Sequence, residues 1–115
     1  MKEFIKVMKA LSDPARVRIM KMLQHKTMCV CEIYTALEKA QSTTSKHLKI
    51  LEDAGLITFQ KNGLWVNYKL ADGTQSPYAA SLLGNLRHWL EDDPEIREMV
   101  TQLPFIDRNV ILNRN

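Results

Sequence analysis

Two cysteines separated by a single residue, Cys29 and Cys31, are the residues whose type and spacing point most directly to chemistry. They are the only cysteines among the 115 residues, and a disulfide stabilises a protein least when the loop it closes is short. Two neighbouring thiolates select a soft, thiophilic ion. Zn²⁺ fits less well because it prefers four ligands, and no nearby set of cysteines and histidines has zinc-finger spacing.

The backbone around the cysteines decides whether both sulfurs can hold one ion. In an α-helix, residues i and i+2 point about 200° apart, whereas in extended backbone they share a face. Residues 27–31 are β-branched and sulfur-rich, and helical periodicity is clear only from Ile33 onward. We therefore expect that binding by both thiolates requires the helix to begin after Cys31, or its first turn to unwind when the ion arrives. A helix N-terminus here is also expected to lower the pKa of both thiols.

Hydrophobic periodicity, capping residues before proline and turn residues predict six helices and one β-hairpin. The predicted helices are residues 3–11, 14–26, a helix that follows the cysteines and ends at 37, 42–54, 77–90 and 94–103; the hairpin strands, 57–60 and 64–70, flank Lys61-Asn62-Gly63. Residues 105–115 have no clear period. This order predicts a mostly α fold with a small β-hairpin, a winged helix-turn-helix with extra terminal helices. Residues 1–103 are expected to form the DNA-binding and dimerisation domain, and 104–115 a C-terminal tail.

The helix predicted over residues 42–54 has one apolar face and one face of small hydroxyls and lysines. Ser42, Thr43, Ser45 and Lys46 stand at its leading end, where short polar side chains let a helix approach the base edges of a major groove. Lys49, one turn further on, and Lys61 at the hairpin turn are expected to contact the phosphate backbone.

The charge distribution agrees with a polyanionic partner. Residues 1–69 carry twelve Lys and Arg against six Asp and Glu, a net +6, whereas residues 70–115 are −3. No apolar run reaches the roughly 20 residues of a membrane span, and we expect a cytoplasmic protein. No phosphate-binding loop or Ser/His/Asp grouping is visible, so an enzyme is not expected.

Three stretches resemble the ArsR/SmtB family of bacterial metal-responsive repressors, and more narrowly its arsenical-resistance branch. Residues 11–19 resemble the family's entry into its second helix, and residues 41–57 its turn and recognition helix. Residues 28–33, Met-Cys-Val-Cys-Glu-Ile, are similar to the family's arsenic-binding motif.

The resemblance implies a homodimer that binds a palindromic operator and leaves it when As(III) or Sb(III) binds Cys29 and Cys31. Apolar helices at residues 3–11 and 77–90 flank the DNA-reading unit, where they either form the dimer interface or cover the intramolecular core. His47 is a phosphate or turn-stabilising contact, or a histidine held at a helix interface. The expected DNA-binding set is Gln41, Ser42, Thr43, Ser45, Lys46, His47, Lys49 and Lys61.

The sequence departs from the arsenical pattern at Tyr34, where relatives often have a third cysteine. The site carried over is therefore Cys29 and Cys31 alone, and the third position on arsenic is left to hydroxide, a small thiol or nothing. The zinc ligands that other relatives place near residues 77–90 are absent from this sequence. A thiol-redox switch in the same fold is the alternative function, although a disulfide between residues so close is strained.

Overall fold

Residues 1–112 are the part of the chain that the structure, a computed structural model, describes. The elements of these residues are α1 (Lys2–Ala10), α2 (Pro14–His25), β1 (Met28–Cys29), α3 (Val30–Leu37), α4 (Gln41–Asp53), β2 (Ile57–Asn62), β3 (Trp65–Leu70), α5 (Pro77–Leu86), α6 (Pro94–Gln102), a 3₁₀ turn (Leu103–Phe105) and α7 (Arg108–Leu112). The predicted mostly α fold with a winged helix-turn-helix is confirmed. No helix within this part of the chain is long and apolar enough to cross a membrane.

Three helices begin where a capping residue precedes proline, as the sequence predicts. Asp13 accepts a hydrogen bond from the Ala15 amide at 2.8 Å, and Ser76 and Asp93 cap α5 and α6 in the same way. Each cap satisfies amides that the first helical turn leaves without intrahelical partners. Helix α4 differs, because its N-cap is Ala40 and no side chain caps it.

Helices α2, α3 and α4 pack around one hydrophobic core. Ile19 and Met22 of α2 and Ile33 of α3 are fully buried. The apolar face predicted for α4 is confirmed, since Leu48 and Leu51 lie in the same core. Burial of this face leaves the hydroxyl and lysine face of α4 in solvent.

The hairpin, hereafter the wing (residues 57–70), turns one residue later than expected. Asn62 pairs with Trp65, so the two turn residues are Gly63 and Leu64 rather than a turn centred on Asn62-Gly63. Gly63 has φ of 63°, which glycine adopts without strain at the first position of a two-residue hairpin turn.

A third strand joins the wing, which was predicted to have only two. Met28 pairs with Tyr68 and Cys29 with Asn67, in an antiparallel sheet of order β1-β3-β2. The cysteine segment is therefore hydrogen-bonded to the wing.

Helix α5 ends at Leu86, four residues before the predicted end at 90. The reason lies in α2, where Lys21 is fully buried. Its Nζ donates to the carbonyls of Leu86 at 2.9 Å and Trp89 at 3.0 Å, and to Glu91 Oε1 at 2.6 Å. A cation on the last carbonyls of a helix is favourable, so Lys21 stabilises a helix end at Leu86.

Residues 104–112 pack on the rest of the domain although their sequence shows no clear hydrophobic periodicity. Lys26 Nζ donates to the carbonyls of Leu103 at 3.1 Å and Ile106 at 2.7 Å, and α7 packs against α3. Residues 113–115 of the expected tail lie outside the described residues.

Replacing Lys21 by methionine should lower the free energy of unfolding by about 2 kcal/mol, because it leaves the buried Leu86 carbonyl without a donor. Urea unfolding followed by circular dichroism measures this loss. Lys6→Met is the matched control, since Lys6 forms only an exposed pair with Glu3 at 3.8 Å and should change stability by less than about 0.5 kcal/mol. Equal stability of the two variants would contradict the role given to Lys21.

Candidate functional site

Cys29 and Cys31 lie with their sulfur atoms 3.0 Å apart. Cys29 is the extended N-cap of α3, with φ of −83° and ψ of 167°, and Cys31 is the second residue of the helix. The expectation that the helix must begin after Cys31 or unwind is therefore wrong. One extended residue before the first helical turn is enough to turn the Cys29 side chain toward Cys31.

Glu32 fixes this backbone arrangement. Its Oε1 accepts a hydrogen bond from the Cys29 amide at 2.9 Å, and its own amide faces the Cys29 sulfur in a capping box. The side chain of Glu32 is buried. Because both ends of the turn are held, the two thiols converge before any ion binds.

The pKa of the Cys29 thiol is raised to about 12, first because the thiol is buried and then because it is hydrogen-bonded to Cys31. The negative charge of Glu32 nearby acts in the same direction. The predicted lowering of this pKa by the helix N-terminus is therefore wrong, since burial outweighs it. Cys29 is a protonated thiol at neutral pH.

A cavity of 260 Å³ opens beside the two thiols. It is lined by residues of α3, α4 and the wing together with the cysteines, namely Cys29, Val30, Cys31, Tyr34, Gln41, Leu64, Trp65 and Val66. The site thus lies between the first residue of α4 and the turn of the wing. Within residues 1–112 no three His, Cys, Asp or Glu side chains cluster as a metal-binding group.

Sequence reasoning missed the contribution of Arg108 to this site. The Arg108 guanidinium lies 4.6 Å from the centre of the Trp65 ring, and its backbone amide donates to Glu32 Oε2 at 3.1 Å. One carboxylate therefore connects the start of α3 with the start of α7. A short helix without periodicity gave no signal for these contacts.

The predicted DNA-binding side chains lie on the surface of α4 and the wing. All are exposed except His47, which is half-buried; the exposed ones are Gln41, Ser42, Thr43, Ser45, Lys46, Lys49 and Lys61. Lys49 is engaged within its own helix, with Nζ 3.2 Å from Asp53. No side chain caps the amides at the start of α4, and such a helix N-terminus favours an anion.

His47 takes part in an interhelical contact. Its Nδ1 lies 3.0 Å from Arg16 Nη1, and Arg16 also donates from Nε to the Ala10 carbonyl at 2.8 Å and from Nη2 to the Lys9 carbonyl at 3.2 Å. Arg16 therefore joins the end of α1 to α4 through the histidine.

Helices α1 and α5 pack on each other and leave apolar side chains on the surface. The Phe4 and Tyr78 rings meet edge to face at 5.3 Å, yet both remain about 40% exposed. Ile5 and Met8 are exposed beside Phe4. An apolar surface of this kind is typical of a protein interface.

Comparisons with known proteins agree with this architecture. The family described as "Bacterial regulatory protein, arsR family" matches residues 13–58. The arsenical resistance operon repressor of Escherichia coli K12 is 31% identical over 100 residues, which are 86% of this chain and 83% of that protein.

Solved structures of similar fold include two bacterial regulators. HlyU from Vibrio cholerae N16961 superposes with a TM-score of 0.65 at 28% identity, covering 80% of this chain and 95% of HlyU. The homodimeric winged helix-turn-helix DNA-binding domain Mb0332 of Mycobacterium bovis gives 0.63 at 26% identity, covering 75% of this chain and 76% of that domain. This chain belongs to the ArsR family and is a DNA-binding transcriptional repressor, not an enzyme.

Proposed function

We propose that the repressor leaves a palindromic operator when As(III) or Sb(III) binds Cys29 and Cys31. The observation that carries the proposal is the pair of sulfurs 3.0 Å apart in a cavity shared by α3, α4 and the wing. Its relative in Escherichia coli is named for arsenical resistance, which supports the same ion.

Ion binding has to spread the two sulfurs. With bonds of about 2.3 Å, a typical metal–thiolate length, sulfurs 3.0 Å apart subtend only about 80° at the ion. Pyramidal As(III) needs a wider angle, so Cys31 moves away from Cys29 and shifts the first turn of α3. Unwinding of that turn is not required.

The shift reaches the DNA-binding surface because the same cavity is lined by Gln41 and by the wing. Gln41 is the first residue of α4, and β1, which carries Cys29, is paired with β3 of the wing. A ligand releases DNA only if it binds the DNA-free conformation more tightly. Contacts to both elements give arsenic that differential affinity.

DNA binding is assigned to the exposed face of α4 in the major groove and to Lys61 of the wing on the phosphate backbone. The chain is proposed to act as a homodimer joined through α1 and α5, whose exposed Phe4 and Tyr78 supply apolar contact area. A two-fold symmetric dimer fits a palindromic operator.

A thiol-redox switch is the second candidate, favoured by the short sulfur–sulfur distance. Disulfide formation proceeds through a thiolate, whereas the pKa of Cys29 is about 12. A disulfide between residues so close in sequence is also strained, whereas a metalloid takes the two sulfurs at a wider separation, and we therefore prefer the metalloid.

Reduced wild-type protein should release DNA carrying its own promoter when As(III) is added, whereas Cys29→Ser and Cys31→Ser should stay bound. Serine at position 29 keeps the N-cap of α3, and serine at position 31 replaces only the sulfur by oxygen, so loss of the response reports the lost sulfur. Fluorescence anisotropy of labelled DNA distinguishes the protein-bound DNA from the free DNA.

The same assay with peroxide and no metalloid separates the two candidates. Release by peroxide alone would favour the redox switch. Release of both serine variants by As(III) would place the sensor elsewhere in the chain.

The affinity for As(III) should be unchanged between pH 6.5 and 8. Arsenite is As(OH)₃ in this range, and each thiol proton leaves with a hydroxide as water, so no net proton is released. Cd²⁺ carries no hydroxide, and its affinity should rise about tenfold per pH unit for each proton released. Titration followed by tryptophan fluorescence compares the two ions, and an arsenite affinity that rises as steeply as that of Cd²⁺ would contradict the proposed exchange.

Lys46→Ala should weaken operator binding and reduce the slope of log affinity against log salt by about one unit per subunit, because one phosphate contact is lost. Lys2→Ala, which removes a lysine from α1, is the control and should leave the slope unchanged. Fluorescence-anisotropy titrations at several salt concentrations, from low to moderate, measure this slope. An unchanged slope for Lys46→Ala would remove this lysine from the interface.

A further inference from the structure

We propose that the preferred inducer is a trivalent arsenical with one organic substituent, R–As(OH)₂, whose substituent lies against Trp65. This inference rests on the proposed function, because it names the ligand class of the same two thiols. It follows from two further properties of the cavity, namely that it contains no third soft ligand and that its wall carries aliphatic and aromatic side chains.

The cavity provides two soft ligands and no third. Among the described residues that line it, Cys29 and Cys31 are the only sulfur, imidazole or carboxylate donors. Inorganic As(III) bound here keeps a hydroxide in its third position. An organic arsenical has only two exchangeable positions, which matches the number of thiols.

Apart from Gln41, the rest of the cavity is lined by aliphatic and aromatic side chains. Val30, Tyr34, Trp65 and Val66 form its wall, and Leu64, almost fully exposed at the wing turn, stands at its mouth. A hydroxide against this wall loses hydrogen bonds to water, whereas a hydrocarbon group gains from burial there. A cavity of about 150 Å³ holds benzene, so 260 Å³ accommodates arsenic with a methyl or phenyl group.

The aromatic wall is in place before the ligand arrives. The guanidinium of Arg108 stacks on Trp65 at 4.6 Å and its Nη1 lies 3.5 Å from Asn67 Oδ1. A side chain already ordered in the free protein loses little entropy on binding.

The chemistry balances without any redox partner. Two S–H bonds and two As–O bonds break, two As–S bonds form and two water molecules leave, while arsenic stays trivalent and keeps its carbon. The Cys29 proton departs in one of those waters, so its protonated state is compatible with the reaction.

The test compares arsenite, methylarsonous acid and phenylarsonous acid on the reduced full-length chain. Affinities are obtained by competition against dithiothreitol, which removes the intrinsic preference of each arsenical for a dithiol. Intact-mass spectrometry confirms one arsenic per chain. We expect the phenyl compound to bind at least tenfold more tightly than arsenite after this correction.

Two variants and one control test whether the preference for the phenyl compound arises from the cavity wall. Trp65→Ser removes the wall, and Leu64→Asp puts a carboxylate at the mouth with no effect on folding, because Leu64 is exposed. Both should lose the tenfold preference for the phenyl compound over arsenite, measured as the ratio of the two affinities within each variant. Phe59→Ser, an exposed aromatic of the same wing outside the cavity, should keep it.

Each outcome is decisive. Equal corrected affinities in wild type, or a preference that survives both Trp65→Ser and Leu64→Asp, overturns the inference and leaves the proposed function standing. Failure of every arsenical to bind wild type more tightly than Cys29→Ser overturns both.

Discussion

The hydrogen bond from the Cys29 amide to Glu32 is the constraint on which the site depends. It holds one residue extended between a strand and a helix, so that Cys29 pairs with Asn67 on one side and caps α3 on the other. On a continuous helix the two thiols would point apart. The capping interaction and the pairing of β1 with β3 together therefore hold Cys29 extended, bring the two sulfurs together and attach them to the wing.

The second oxygen of the same carboxylate extends this constraint to the C-terminal residues. Glu32 accepts the Arg108 amide, and Arg108 in turn lies on Trp65. A buried carboxylate is stable only when its oxygens are hydrogen-bonded. Burial of Glu32 thus requires α7 to be docked, and the docked α7 positions the aromatic wall of the cavity.

The sequence was sufficient where the signal is local and insufficient where the cause is tertiary. Capping residues before proline located α2, α5 and α6, and periodicity located the buried face of α4. Strand β1 is two residues long and exists only because β3 lies beside it. The end of α5 is set by Lys21, 65 residues away, and the pKa of Cys29 by burial that no spacing reveals.

Both elements proposed to contact DNA line the cavity, so the proposed ligand would act on both of them from one site. A displacement of α3 by a fraction of an ångström would change the position of Gln41 and of the wing together, because packed elements move as units. Coupling between two sites is typically about 1–3 kcal/mol. Two occupied sites in a dimer would then supply about 2–6 kcal/mol, enough to weaken operator affinity by a factor between about 30 and about 3 × 10⁴. Under the proposed function the pair of thiols needs no large conformational change to act as a switch, because it lies between the two elements proposed to hold the DNA.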